Sequence, residues 1–278
     1  MKLGIALSRL HPRFHLEATL EAERLGFESV WMADHLVFPL AMAGSPHPGE
    51  DAPPVPPTTP IYDTFAWLGF LAARTSRIRL GTNVYLLALR HPFAAARAVQ
   101  TLDLVSEGRA EIGVGAGWLR EEWRATGLDP RTRGQRLDEA IAVCTRLWTE
   151  SVVEHHGRFY DFPPVAFEPK PVQKPWPPIL VGGDSDAALA RAARHDGWIG
   201  LADSPQQAAP LVERLHALRR RSGRASERFE VTLGGNVREP DSLTPWRDVG
   251  VDRLVIAPWS RSREWRDGLR RAADRWLR

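Results

Sequence analysis

Short apolar runs recur along the chain, and most are followed by a stretch whose apolar positions lie three or four residues apart. The runs at Leu3–Leu7, Ser29–Met32, Ile78–Val84, Ala110–Gly115, Ile179–Val181, Trp198–Gly200, Phe229–Leu233 and Arg253–Ala257 predict eight strands. Most are apolar on consecutive residues instead of alternating, as strands buried on both faces of a parallel sheet are. Between them, the spacing predicts helices at Phe14–Leu25, Ala94–Val105, Arg136–Trp148, Asp186–Ala193, Gln206–Arg219 and Arg263–Leu277. Leu16, Leu20 and Leu25 share a face of the first, and Gly26 supplies its stop. Trp265, Leu269, Ala272 and Trp276 lie on one side of the last, opposite its arginines.

Strand followed by helix, with eight strands in all, fits a closed (β/α)8 TIM barrel or an open doubly wound sheet. Eight favours the barrel, which closes without leaving an edge. The 278 residues are close to the roughly 250 typical of that fold, so residues 1–278 read as one domain. Two segments interrupt the rhythm, at about 39–60 and 151–178, and hold eight and seven of the 23 prolines. Long loops inside a compact domain are usually functional. Connections leaving strand C-termini build barrel active sites, so both segments are expected to wall a pocket there.

Composition narrows the class. A net charge of +3, with Lys and Arg spread along the chain, argues against a nucleic-acid surface. Cys144 is the only cysteine, so no intramolecular disulfide can form. The chain begins without a signal-like apolar region, and no run approaches the ~20 apolar residues of a membrane span. A cytoplasmic protein without a membrane partner is expected.

Four strand ends carry candidate chemistry. The stretch GFESVWMADHLVFP (Gly26–Pro39) ends an apolar strand with Asp34 and His35 side by side. Such a pair can simply terminate the strand. At the rim of a barrel, a carboxylate beside an imidazole can fix its tautomer and let it exchange a proton near neutral pH. In GTNVYLL, Asn83 is an amide in an apolar run, either a strand-end turn or an irregularity pressed against a flat ligand. EIGVGAGW places Gly113, Gly115 and Gly117 before Trp118, a pattern that is not GxGxxG but lets backbone approach a ligand closely. Trp118 would wall a pocket or sit in the core. Gly182–Gly183 lead to a helix start capped by Asp184 or Ser185, whose free amides suit an anion. His155–His156 lacks a third ligand at metal spacing, so no metal site is expected. Neither a GxSxG elbow nor a Walker A motif occurs.

Taken in order, AERLGFESVWMADH, RIRLGTNV, DLVSEGRAEIGVGAGW, GRFYDFPPVAFEPKPVQKPWPPILVGG and AARHDGWIG resemble the luciferase-like monooxygenase superfamily. The resemblance is closest to its branch of oxidoreductases that use the deazaflavin coenzyme F420. It runs to about Gly200, with GVDRLVI (Gly250–Ile256) the similar piece beyond. It implies a flat cofactor lying across the C-terminal strand ends of a barrel, and a homodimer. His35 matches the family histidine near the reactive carbon of the ring, with Asp34 to orient it. Asn83–Val84 falls where such proteins carry a non-proline cis peptide bulge behind the ring. Gly115 and Gly117 match the loop along the cofactor, and Gly182 and Gly183 the turn that meets its phosphate. Some relatives carry a catalytic glutamate where Trp118 stands, a departure that argues against a sugar-phosphate substrate. Trp118 and Trp259 suggest an apolar or aromatic pocket instead.

The expected function is hydride transfer between coenzyme F420 and a small organic substrate, with His35 moving the proton. One alternative keeps the fold and takes FMN, as a monooxygenase fed by a separate reductase. Another is a non-catalytic binding barrel in which Asp34 and His35 are only turn residues.

Overall fold

Each apolar run predicted as a strand is a strand in the computed structural model, with ends that agree to within one residue. The structure describes every residue except Pro48, Gly235, Asn236, Arg238, Glu239 and Arg278. The strands are β1 (Lys2–Ala6), β2 (Ser29–Met32), β3 (Arg79–Tyr85), β4 (Ala110–Val114), β5 (Val153–His156), β6 (Asp161–Val165), β7 (Ile179–Gly182), β8 (Gly197–Leu201), β9 (Glu230–Gly234) and β10 (Arg253–Ile256). All but β5 and β6 form a closed parallel barrel in the order β1-β10-β9-β8-β7-β4-β3-β2, and β5 and β6 pair as a separate antiparallel hairpin. The helices are α1 (His15–Leu25), α2 (Thr64–Ala72), α3 (Pro92–Val105), α4 (Arg120–Ala125), α5 (Arg133–Thr149), α6 (Asp186–Ala192), α7 (Pro205–Arg221), α8 (Thr244–Asp248) and α9 (Trp265–Trp276). This is a (β/α)8 TIM barrel. No helix among the described residues is long and apolar enough to cross a membrane.

The two ends of the barrel interior differ in chemistry. At the N-terminal end Arg253, fully buried, binds Glu28 (2.7 Å), Glu111 (2.6 Å) and Glu230, while Arg79 binds Glu111 at 2.5 Å. Burial pushes the Glu111 carboxyl up, and the arginines beside it pull the other way. A buried charge with this many partners is tolerable, whereas one left without them would not be. Above this cluster Trp31 fills the interior against Gly81, where any Cβ would collide with the indole. Leu180, Ile199 and Val255 complete the plug. The N-terminal end is therefore solid, and the C-terminal end is where a ligand can enter.

Of the two proline-rich insertions, the first leaves β2 at the C-terminal end and lies at that mouth. The second corrects the expectation. It runs from α5 to β7, and a helix-to-strand connection belongs to the opposite face. Its hairpin folds back along α5, where Glu139 accepts from the Phe159 and Tyr160 amides at 3.1 and 2.9 Å. Its remainder passes beneath the barrel, where Gln173 donates to Asp103 (2.7 Å) and Trp176 to Asp196 (3.1 Å). The hairpin tip climbs to the starts of α3 and α5, where Tyr160 meets the His91 ring at 5.8 Å and Arg158 donates to Gln135 at 2.8 Å. Among the described residues, however, no hydrogen bond or ring contact joins 151–178 to His35, Phe38 or Trp118.

Candidate active site

The irregularity expected in β3 is present. The Asn83–Val84 peptide is cis without a proline, and the register with β4 shifts between Thr82 and Tyr85. Successive side chains of a strand normally face opposite sides, yet Asn83 and Val84 both face into the barrel. Asn83 Nδ2 reaches across to β9, 3.1 Å from where a Cβ on Gly234 would stand. Val84 lies between Gly115 and Gly182, its Cγ1 2.7 Å from a Cβ built on Gly182 and its Cγ2 nearer still to one on Gly115. These two glycines stand where the cofactor was expected to run, but the group that approaches them is Val84.

The result is a shallow floor of small apolar groups. Ala6, Ala33, Val84, Gly182 and Leu201, all at strand C-termini, are part-exposed, while Trp31, Leu180, Ile199 and Val255 beneath them are buried. Such a surface fits the face of a flat ring: it offers dispersion contact and no charge to desolvate.

His35 stands at the rim of this floor, its side chain 14% exposed. Its Nδ1 lies 2.8 Å from Oε2 of Glu122 on α4. Phe38 packs against the ring at 4.5 Å between centroids and Trp118 meets it edge-on at 6.0 Å. Among the described residues, none bonds to Nε2. Glu122 is 1% exposed, and its other oxygen accepts from the Leu36 amide at 2.6 Å and the Val37 amide at 3.4 Å.

Asp34 does not orient His35. Its buried carboxylate takes both guanidinium nitrogens of Arg90 (2.7 and 2.9 Å), the Leu86 amide (2.9 Å) and the Thr64 hydroxyl (3.1 Å). Burial works against the Arg90 charge, but Asp34 outweighs it and holds the guanidinium above its usual range. Arg90 also lies over the Tyr85 ring at 4.5 Å. Asp34 thus ties the end of β2 to the residues that follow the β3 bulge. The physical reason is that consecutive side chains diverge at a strand end: Asp34 turns into the layer beneath α2, and His35 turns to the mouth.

The remaining expected residues divide. Gly117, at φ +76, is part-exposed in the turn that leads to Trp118 and α4, and a Cβ there would press on Leu86 and Trp123. Gly183, at φ +108, is exposed beside α6, and its carbonyl accepts from Trp198 at 2.7 Å. Ser185, not Asp184, caps α6 by accepting from the Ala188 amide. Trp118 stands in the site, but Trp259 does not line it. That ring is 5% exposed, packs in the core, and donates to the Arg9 carbonyl at 2.9 Å. The sequence reading missed Glu122 altogether. The signal for it was an acid at the position next to the buried Trp123, on the inward face of a helix.

Comparison with known proteins identifies the family. The model of the luciferase-like monooxygenase family matches residues 3–238. An uncharacterised protein of Mycobacterium tuberculosis is 33% identical over 259 residues, covering 92% of this chain and 88% of the relative. A coenzyme F420-dependent glucose-6-phosphate dehydrogenase of Segniliparus rotundus is 32% identical over 262 residues, covering 92% and 67%. The fold is similar to that of the monooxygenase RslO1 from Streptomyces bottropensis, with a TM-score of 0.79 and 23% identity over 100% of this chain and 99% of the other. The chain belongs to the luciferase-like monooxygenase family.

Proposed function

We propose that this protein is an oxidoreductase that transfers a hydride between coenzyme F420 and a small organic substrate, with Nε2 of His35 exchanging the accompanying proton. One observation carries the reading: an imidazole anchored through Nδ1 stands beside an uncharged, part-exposed floor built over Val84. The likeness to a dehydrogenase dependent on this coenzyme supports it. The bound deazaflavin would supply the hydride chemistry. The chain's part is to hold the ring on Ala6, Ala33 and Val84, to keep Gly117 and Gly183 clear of it, and to present Nε2. Phe38 and Trp118 flank His35, with the exposed Leu36 and Val37 next to it in the chain, so the substrate side is apolar. This favours a hydrophobic alcohol or carbonyl compound over a sugar phosphate. A second copy of the chain is the partner proposed for α2, whose nine residues carry no charge and leave Phe70 exposed.

The test is to titrate wild type and His35→Gln with coenzyme F420, following the coenzyme's fluorescence, and then to measure turnover. His35→Gln should bind within a few-fold of wild type and lose about 10²- to 10⁴-fold in rate, the usual contribution of a positioned acid or base. Unchanged turnover would remove His35 from the reaction. The family's name supports a second reading, an FMN-dependent monooxygenase fed by a separate reductase. Tight FMN binding without deazaflavin binding would select it, and binding of neither would leave a non-catalytic barrel.

A further inference from the structure

Glu122 does more than meet His35. Its carboxylate gathers N–H donors from three consecutive residues: the His35 ring, the Leu36 amide and the Val37 amide. Those residues are the root of the proline-rich segment, where β2 gives way to the loop at the mouth. The helix that carries Glu122 is itself fixed. Trp123, the next residue, is 1% exposed and donates to the Ala116 carbonyl at 3.0 Å. A carboxylate oxygen only accepts, so the Nδ1 facing it carries a proton, and in the neutral ring Nε2 offers a lone pair. We propose that Glu122 is a positioning residue with two roles. It keeps the His35 ring proton on Nδ1, and it seats the root of residues 36–63 on α4, so that one carboxylate orders the imidazole and the loop together. The proposal rests on the oxidoreductase reading only for the use made of Nε2.

Two substitutions separate the roles. The amide of Glu122→Gln keeps one acceptor oxygen for the Leu36 amide, but it turns an NH2 donor toward Nδ1 and so drives the ring proton to Nε2. Glu122→Ala removes both interactions. Full-length, cofactor-free protein with 15N-labelled histidine rings is examined by NMR above the imidazole titration, and His35→Gln identifies the His35 signals. Deuterium exchange of the peptide spanning Leu36 and Val37 is measured in parallel. Wild type should show the Nδ1–H tautomer. Glu122→Gln should show the Nε2–H tautomer, with Leu36 exchange within about twofold of wild type. Glu122→Ala should lose the Nδ1–H preference, and exchange at 36–37 should rise about tenfold or more. An Nδ1–H tautomer that persists in Glu122→Gln overturns the first role, and unchanged exchange in Glu122→Ala overturns the second. Should Glu122→Ala fail to fold, the near-isosteric Glu122→Gln still decides the first, and Glu122→Asp, one methylene too short to reach, decides the second by the same exchange readout. Neither readout needs cofactor, so the result stands apart from the fate of the deazaflavin reading.

Discussion

Replacing Asp34 by asparagine keeps the shape of a buried side chain and removes its charge. The partner left behind is Arg90, whose side chain is 14% exposed and binds both Asp34 oxygens at 2.7 and 2.9 Å. Breaking a buried pair from one side costs about 3–5 kcal/mol, because the remaining charge stays out of water. Arg90 keeps the Leu86 carbonyl at 3.3 Å and the Tyr85 ring face, and asparagine keeps an acceptor for the Leu86 amide, so the lower end applies. At about 2.1 cal/mol/K of unfolding entropy per residue, 278 residues give about 0.6 kcal/mol/K, and about 3 kcal/mol becomes a fall of about 5 °C in apparent Tm. Thermal melts of D34N, R90M and the double variant supply the check. The double variant should melt close to the worse single variant, with a coupling of about 2 kcal/mol. Because Asp34 does not touch His35, folded D34N should turn over within about threefold of wild type. A D34N variant that melts normally and loses turnover a hundredfold would show that Asp34 serves the imidazole, and the structural assignment would be wrong.

Three further outcomes follow from the packing. Gly115→Ala places a Cβ against Val84 Cγ2 and should cost about 1–3 kcal/mol together with cofactor affinity. Adding Val84→Ala removes the obstructing methyl and should restore affinity, and a double variant no better than G115A would refute the contact as the cause. Burial holds the His195 imidazole down at about 4, against an ordinary value of 6.5. The unfolded chain therefore takes up this proton first as pH falls: stability is full above pH 6.5 and declines between 6.5 and about 4, by about 3 kcal/mol from this residue. Urea midpoints should fall less steeply across that window for His195→Gln than for wild type, and equal slopes would exclude the residue. On α2, Phe70→Glu should convert a dimer to monomers in sedimentation, and wild type sedimenting as a monomer at micromolar concentration would rule out that face.

The barrel was legible because its strands are buried on both sides. Ile179–Val181 and Arg253–Ala257 stand out as short apolar runs, and the amphipathic helices α1, α3, α5, α7 and α9 stand out from them by period. What escaped has specific causes. TFAWLGFLA, which forms α2, is so uniformly apolar that no helical stripe shows, and only the Asp63 cap, accepting from the Ala66 amide at 2.8 Å, marks its start. The β5–β6 hairpin is hidden because VEHH and DFPPV mix polar residues and prolines in place of an alternating pattern. The second insertion was expected among the pocket walls although the order of elements, α5 to β7, has it leave and rejoin the barrel at the other end. A segment between a helix and the next strand emerges at the N-terminal face, however rich in proline it is.

For the site, position along each strand was the readable quantity. A residue just past a strand in a parallel barrel has to lie near one rim, which is why His35, Asn83, Val84, Gly117 and Trp118 were found together. Partnership was not readable in the same way. Asp34 adjoins His35 in the chain and is its neighbour in no chemical sense, because the backbone at a strand end sends successive side chains to different layers. The carboxylate that does meet the ring comes from 87 residues further on. It could still have been suspected. In LREEWRA, helical spacing puts Leu119, Glu122 and Trp123 on one inward face, and a carboxylate there cannot be buried without donors. The donors it meets are the His35 ring and the Leu36 and Val37 amides, in the turn after β2. For His35, then, the buried acid on the apolar face of the βα-loop helix is the partner, and the acid beside it in sequence is not.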